Sequence, residues 1–301
     1  MSLLLILIFA AGPALFGMNT AYAADQDGMN GDSELANPYI KRYPFDSVVI
    51  RYSGKTEYGH AGTKKKSYEG NEVLYIEGDK LAKTVSMIIP SSDGETKQIE
   101  RLQIITPDDV YFIDLVENSG KKIENSYKFV KPKYEKLSKE EKKAFHERMD
   151  VRGIVSLDLS GLGKKTGTDV VLGKQCDIYE FGEKPTEESF MNAVQAGMEP
   201  PYYRKTWIWR DAKIPLKMVT EQFLSQSELT ATSIEENVDI PEQRFEAPEG
   251  VKVAFDNTQS QASKEEALAR FRLYKTGKPI LYKVKVQEEK VSKNDKDKTK
   301  K

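Results

Sequence analysis

From Phe45 to Val130 the apolar positions come in short alternating runs, not at the three-and-four spacing of a helix. Ser47-Val48-Val49-Ile50-Arg51-Tyr52 is rich in β-branched and aromatic residues and reads as a strand. Similar runs follow at Asn71–Glu77, Leu81–Ile89, Gln98–Ile105, Val110–Glu117 and Ser126–Val130. Turn residues separate most of them: Gly78-Asp79, Ser92-Asp93-Gly94, Pro107-Asp108-Asp109 and Ser119-Gly120. The close spacing leaves no room for helices between runs, so it predicts consecutive antiparallel hairpins. Gly59–Lys66 reads as a basic loop.

The pattern changes at Ser138-Lys139-Glu140-Glu141, a capping box with Ser as N-cap and Glu three positions on. Ala144, Phe145 and Met149 continue it as a narrow apolar stripe, predicting a helix to about Arg148. Strands resume at Lys174–Phe181, Tyr203–Arg210, Pro215–Phe223 and Glu228–Asn237. A second helix is expected over Thr186–Ala196, with Thr186 as cap, Gly197 as stop, and Phe190, Met191, Val194 and Met198 along one side. Ser263-Lys264-Glu265-Glu266 is another capping box, with Leu268 and Phe271 behind it. Lys293–Lys301 contains no apolar residue and predicts a disordered tail.

Composition changes this picture mainly at the start of the chain. Leu3–Phe16 is almost wholly apolar and is followed by Ala21-Tyr22-Ala23 and the polar Ala24-Asp25-Gln26-Asp27. That is the apolar core and small-residue cleavage site of a secretory leader, with the cut expected between Ala23 and Ala24. The run is shorter than the roughly 20 residues a membrane-spanning helix needs. Met1-Ser2-Leu3 lacks the usual Lys or Arg, which fits a start codon placed too far downstream or, alternatively, a retained anchor. No Cys stands at the cleavage site, so lipid attachment there is not expected. The expected layout is a leader at 1–23, a flexible segment at 24–44, one domain at 45–255 and an extension at 256–301. The expected location is the periplasm, with no stable membrane span once the leader is cut. Such a compartment lacks ATP and nicotinamide cofactors, which makes many enzyme classes poor candidates.

Candidate chemistry narrows the classes further. The net charge of −1 gives no preference for nucleic acid. The single Cys176 allows no internal disulfide and reads as a small core residue. His60 and His146 have no neighbouring Cys or His, so neither a zinc site nor any other cofactor is expected. Asp108-Asp109 and Glu187-Glu188 are adjacent pairs whose side chains diverge, and no Gly-x-Ser-x-Gly elbow or phosphate loop is present. A non-enzymatic binding protein is the expectation.

One block goes beyond strand texture. Gly167-Thr168-Asp169-Val170-Val171-Leu172-Gly173-Lys174-Gln175-Cys176-Asp177-Ile178-Tyr179 is followed by Thr206-Trp207-Ile208-Trp209, then Ile214-Pro215-Leu216-Lys217 and Phe245-Glu246-Ala247-Pro248-Glu249-Gly250. This order resembles the periplasmic lipoprotein-carrier superfamily, which includes lipoprotein-sorting proteins and envelope stress sensors. The resemblance implies a mostly β, α+β fold: a strongly curved antiparallel sheet, or half-open β-barrel, with a helical lid formed near Ser138 and Thr186. It further implies an apolar ligand or lipoprotein acyl chain between sheet and lid, with Trp207, Trp209, Phe190, Met191, Val194 and Met218 as candidate contacts. The alternative on the same fold is an envelope protein partner, met by the Lys64-Lys65-Lys66 loop and the C-terminal region.

Overall fold

The computed structural model describes residues 37–40, 43–59, 66–90, 96–156 and 163–277. The expected leader with its Ala23–Ala24 cut, the Lys64-Lys65 part of the basic loop and the Lys-rich tail lie outside these residues.

One twelve-stranded sheet organises the chain. The first meander is β1 (Ser47–Tyr58), β2 (Lys66–Glu77), β3 (Lys80–Pro90), β4 (Thr96–Ile105), β5 (Asp109–Asp114) and β6 (Ser119–Glu124). The second is β7 (Lys164–Val171), β8 (Lys174–Phe181), β9 (Tyr203–Trp209), β10 (Ile214–Gln222) and β11 (Ser225–Glu236). β11 pairs antiparallel with β1 and fuses the two meanders, and a short β12 (Lys252–Phe255) adds to β6 in parallel. Among the described residues β12 and β7 are the two edges, so the sheet is a half-open barrel.

Curvature follows from local irregularity. Register shifts occur in the β1–β11, β9–β10 and β7–β8 pairs, and each such bulge bends its strand and increases twist. Flat strands are spaced about 4.8 Å apart, yet the rings of Phe45, just before β1, and Trp209, three strands away, lie 5.5 Å apart. The concave face is packed at that end by Val48, Ile50, Leu74, Ile76, Cys176, Trp209, Ile214 and Leu216. The opposite face carries Val49, Ala82, Leu102, Ile104 and Ile113, covered by Ile240 and Phe245 from the segment after β11.

The helices are α1 (Tyr127–Glu135), α2 (Lys139–Ser156), α3 (Glu187–Gln195) and α4 (Asn257–Thr276). α1, α2 and α4 form a bundle around Val130, Tyr134, Phe145, Phe271 and Tyr274. It sits beside β6, where the Ser260 hydroxyl accepts the Glu124 amide at 3.2 Å. Tyr39 packs into the same bundle, its ring 6.3 Å from that of Phe145. α3 stands apart from this bundle and shares none of its buried residues.

Three expectations are corrected. Ser126–Val130 is not a strand but opens α1, because Val130 and Tyr134, four apart, both bury against the bundle. Ser119-Gly120 is not a turn. The Asp114 carboxylate accepts the amides of Val116 and Glu117 and turns the chain earlier. Gly120 is a strand residue whose missing Cβ would meet the Phe112 carbonyl at 2.8 Å. The C-terminal helix starts about two turns before Ser263, capped by Asp256, whose carboxylate accepts the Gln259 amide at 3.0 Å.

Candidate functional site at the rim of the sheet

The ends of β8, β10 and β1 and the starts of β9, β11 and β2 meet at one rim of the half-barrel, opposite the packed end. The register sets two rows of facing side chains just inside that rim. One runs Phe181, Arg204, Thr220, Ser227, Thr56 and Tyr68. The next runs Tyr179, Thr206, Met218, Leu229, Gly54, Gly70 and Met87. Directly opposed residues project to the same side of a sheet, so each row shares one side. On β1, β2 and β10 it is the side of Ile50, Leu74 and Leu216, whereas on β8 and β9, whose pairing has no register shift, it is the side opposite Cys176 and Trp209, with the β10 bulge lying between.

The rim face mixes apolar surface with hydroxyls. Tyr68 and Met87 are buried, as are Thr56 and Ser227, whose hydroxyls lie 3.0 Å apart in a hydrogen bond. Among the described residues two buried side-chain atoms have no protein partner: Thr206 Oγ1 and Arg204 Nε. Burial lowers the Arg204 pKa below the ordinary guanidinium value. Among the described residues no carboxylate forms an ion pair with it; its guanidinium lies 5.9 Å from the Phe181 ring and 6.0 Å from the Tyr202 ring. Deeper on the same face Glu72 and Lys83 form an ion pair at 3.1 Å, with side chains only 12% and 8% exposed.

α3 closes the rim at the β8–β9 connection. Thr186 and Ser189 form the reciprocal capping box, and Gly197 leaves the helix at φ 67°. Phe190 stacks on Phe223 of the β10–β11 turn at 5.3 Å between centroids. The rest of its apolar side is open: Met191 is 46% exposed, Val194 52% and the following Met198 67%. A short helix that leaves two such residues in water, with a third just after it, forgoes the burial that would normally fix it.

The six candidate contacts therefore fall into different environments. Met218 lies in the rim rows and Phe190 anchors α3 beside them, while Met191 and Val194 point away from any protein core. Trp209 is buried in the packed end, with the Lys174 ammonium 4.6 Å from its ring centroid. Trp207 packs at the margin of that cluster; its indole N–H donates to Asp169 at 3.0 Å, and Lys205 and Lys217 lie over its ring. Cys176 is wholly buried, and burial pushes its thiol pKa up, so it is an unreactive core residue. Arg204 and Thr206 escaped the sequence reading. The signal available was a charged residue alternating with Thr206 in a strand otherwise read for its tryptophans.

No protein-family model matches the sequence, and no curated protein matches it. Solved structures similar to the chain include the lipoprotein LppX of Mycobacterium tuberculosis, at 13% identity over 66% of this chain and 91% of that one, with a TM-score of 0.27. A LolA-superfamily protein of Nitrosomonas europaea is similar at 8% identity over 78% of this chain and 97% of that one, with a TM-score of 0.26. MucB in complex with the periplasmic part of MucA is similar at 10% identity, with a TM-score of 0.30; the match covers 68% of this chain and 57% of MucB. At such values the likeness decides nothing about ligand or partner.

Proposed function

We propose that this is an exported binding protein that carries or senses an apolar ligand, a lipid or the acyl chain of a lipoprotein, at the α3 rim. The observation that carries this reading is the row of Met191, Val194 and Met198 left in water beside a concave face that is itself part apolar. Methionine is flexible and polarisable, which suits a surface that must adapt to hydrocarbon. Each CH₂ transferred from water contributes about 0.8 kcal/mol, so part of one acyl chain is enough for micromolar binding. The periplasm is the proposed location, from the leader expected at 1–23.

The purified protein is expected to displace a fluorescent acyl probe and to retain lipid in native mass spectrometry. Replacing Met191 and Val194 together by Ser should weaken acyl binding about tenfold or more without lowering the unfolding midpoint, because neither residue is buried. Absence of bound lipid and of displacement across several lipid classes would overturn the carrier reading.

A second reading, an envelope interaction module, draws on the free edge of the sheet. β7 is exposed along most of its length, and Val170 and Leu172 at its end are solvent-facing, as an added partner strand would require. A protein with no acyl affinity that gains a stable strand partner would favour it.

A further inference from the structure

We propose that Arg204 and Thr206 form a receptor for the anionic head of the ligand, a carboxylate or a phosphate attached to the acyl chain. This rests on the carrier reading and specifies which amphiphiles the rim selects. The two residues are two apart on β9, so both side chains leave the same face of the strand. Each carries a polar atom shut off from water without a protein partner: a hydroxyl oxygen on Thr206, and a guanidinium N–H on Arg204. Thr220 stands directly opposite Arg204 and adds a second hydroxyl-bearing position.

A buried donor left unpaired is costly, and natural proteins keep few of them. Ring contacts from Phe181 and Tyr202 do not meet this need. They shield and orient the guanidinium but accept none of its in-plane N–H groups. The surrounding charges point the same way. The nearby carboxylates are engaged elsewhere: Glu180 with Lys205, and Glu221 with Lys184. The guanidinium thus keeps a positive charge with no internal counter-ion among the described residues. Its planar fork matches a carboxylate or phosphate oxygen pair. The apolar side of α3 begins at the same rim, so a ligand with its head on Arg204 can lay its chain toward Phe190, Met191 and Val194.

The test is equilibrium binding to the purified full chain by displacement of a fluorescent acyl probe, with four competitors: palmitate, methyl palmitate, lysophosphatidylglycerol and lysophosphatidylcholine. The wild type should bind palmitate about tenfold or more tightly than its methyl ester, since a charge-assisted pair contributes about 1.5–3 kcal/mol. Arg204→Gln should abolish that preference and leave methyl palmitate within about twofold of wild type. Thr206→Val, nearly isosteric, should cut the preference in the same direction by less, and serves if the arginine variant does not fold. Preference for palmitate alone identifies a carboxylate, and preference for lysophosphatidylglycerol over lysophosphatidylcholine an anionic phosphate head. Equal binding of palmitate and its ester by the wild type, or equal weakening of both by Arg204→Gln, overturns the receptor while leaving the carrier reading intact. No binding by any of the four overturns both.

Discussion

Asp177 shows how single polar groups are held in this fold. It is buried beneath the β8–β9 pairing, and its Oδ1 accepts from Arg210 Nε at 3.1 Å, Arg210 Nη2 at 2.9 Å and Lys165 Nζ at 3.0 Å. Burial alone would raise its pKa, but the hydrogen bonds from Lys165 and Arg210 outweigh it and hold the carboxyl below the usual range. A carboxyl lowered on folding stabilises the protein above its unfolded value, about 3.9, and loses that contribution as the pH falls through the folded value. Asp177→Asn should therefore cost about 1–3 kcal/mol near neutrality and clearly less at about pH 3, read from urea midpoints. An equal cost at both pH values would show that the carboxylate charge is not what matters. The aspartate was visible in the sequence, flanking Cys176, but its partners are 12 and 33 residues away and only the strand register brings them together.

At the scale of elements, local signals placed helices where chain chemistry alone sets them. The Ser138 and Thr186 capping boxes are both present, because the amide and the side chain that close each one lie within four consecutive residues. α1 was hidden because its aromatic and β-branched opening satisfies a strand pattern, and only distant residues, Phe145 from α2 and Ala267, Phe271 and Tyr274 from α4, make the i, i+4 pair Val130 and Tyr134 worth burying. Phe145 is wholly buried and meets Tyr39, Tyr134, Phe271 and Tyr274 within 6.3 Å between centroids. Phe145→Ala should cost the helical bundle about 3–5 kcal/mol. Circular dichroism during urea titration should then show helical signal lost ahead of the sheet signal. A single unchanged transition would mean that bundle and sheet do not separate.

The whole molecule is a sheet with one packed end and one open rim, and its stability should be uneven in the same sense. Val48, Ile50, Leu216 and Cys176 are wholly buried on consecutive or near-consecutive strands, whereas no residue of α3 is buried. Amide hydrogen exchange should be slowest over Val48–Tyr52 and the facing part of β11, and faster by orders of magnitude in Glu187–Gln195. Slow exchange in α3, equal to that in β1, would contradict a rim able to open for a ligand. The Glu72–Lys83 pair lies between the two ends, with side chains only 12% and 8% exposed. Its partners sit on the hairpin strands β2 and β3. The pairing was not legible beforehand, because each residue alone reads as an ordinary outward-facing charge in an alternating strand.

The sequence by itself determined the elements whose causes are local: a run of hairpins from period-two alternation and two helix starts from capping chemistry. Tertiary structure alone decided what the apolar residues are for. Trp209 and Met191 were equal candidates from the resemblance, yet one fills the packed end and the other stands in water. The reason is physical. Side-chain direction in a sheet is reset at every bulge, and the bulges in the β1–β11, β7–β8 and β9–β10 pairs are set by partners far away in the chain. Long-range register likewise set Thr220 opposite Arg204 and Met218 opposite Thr206.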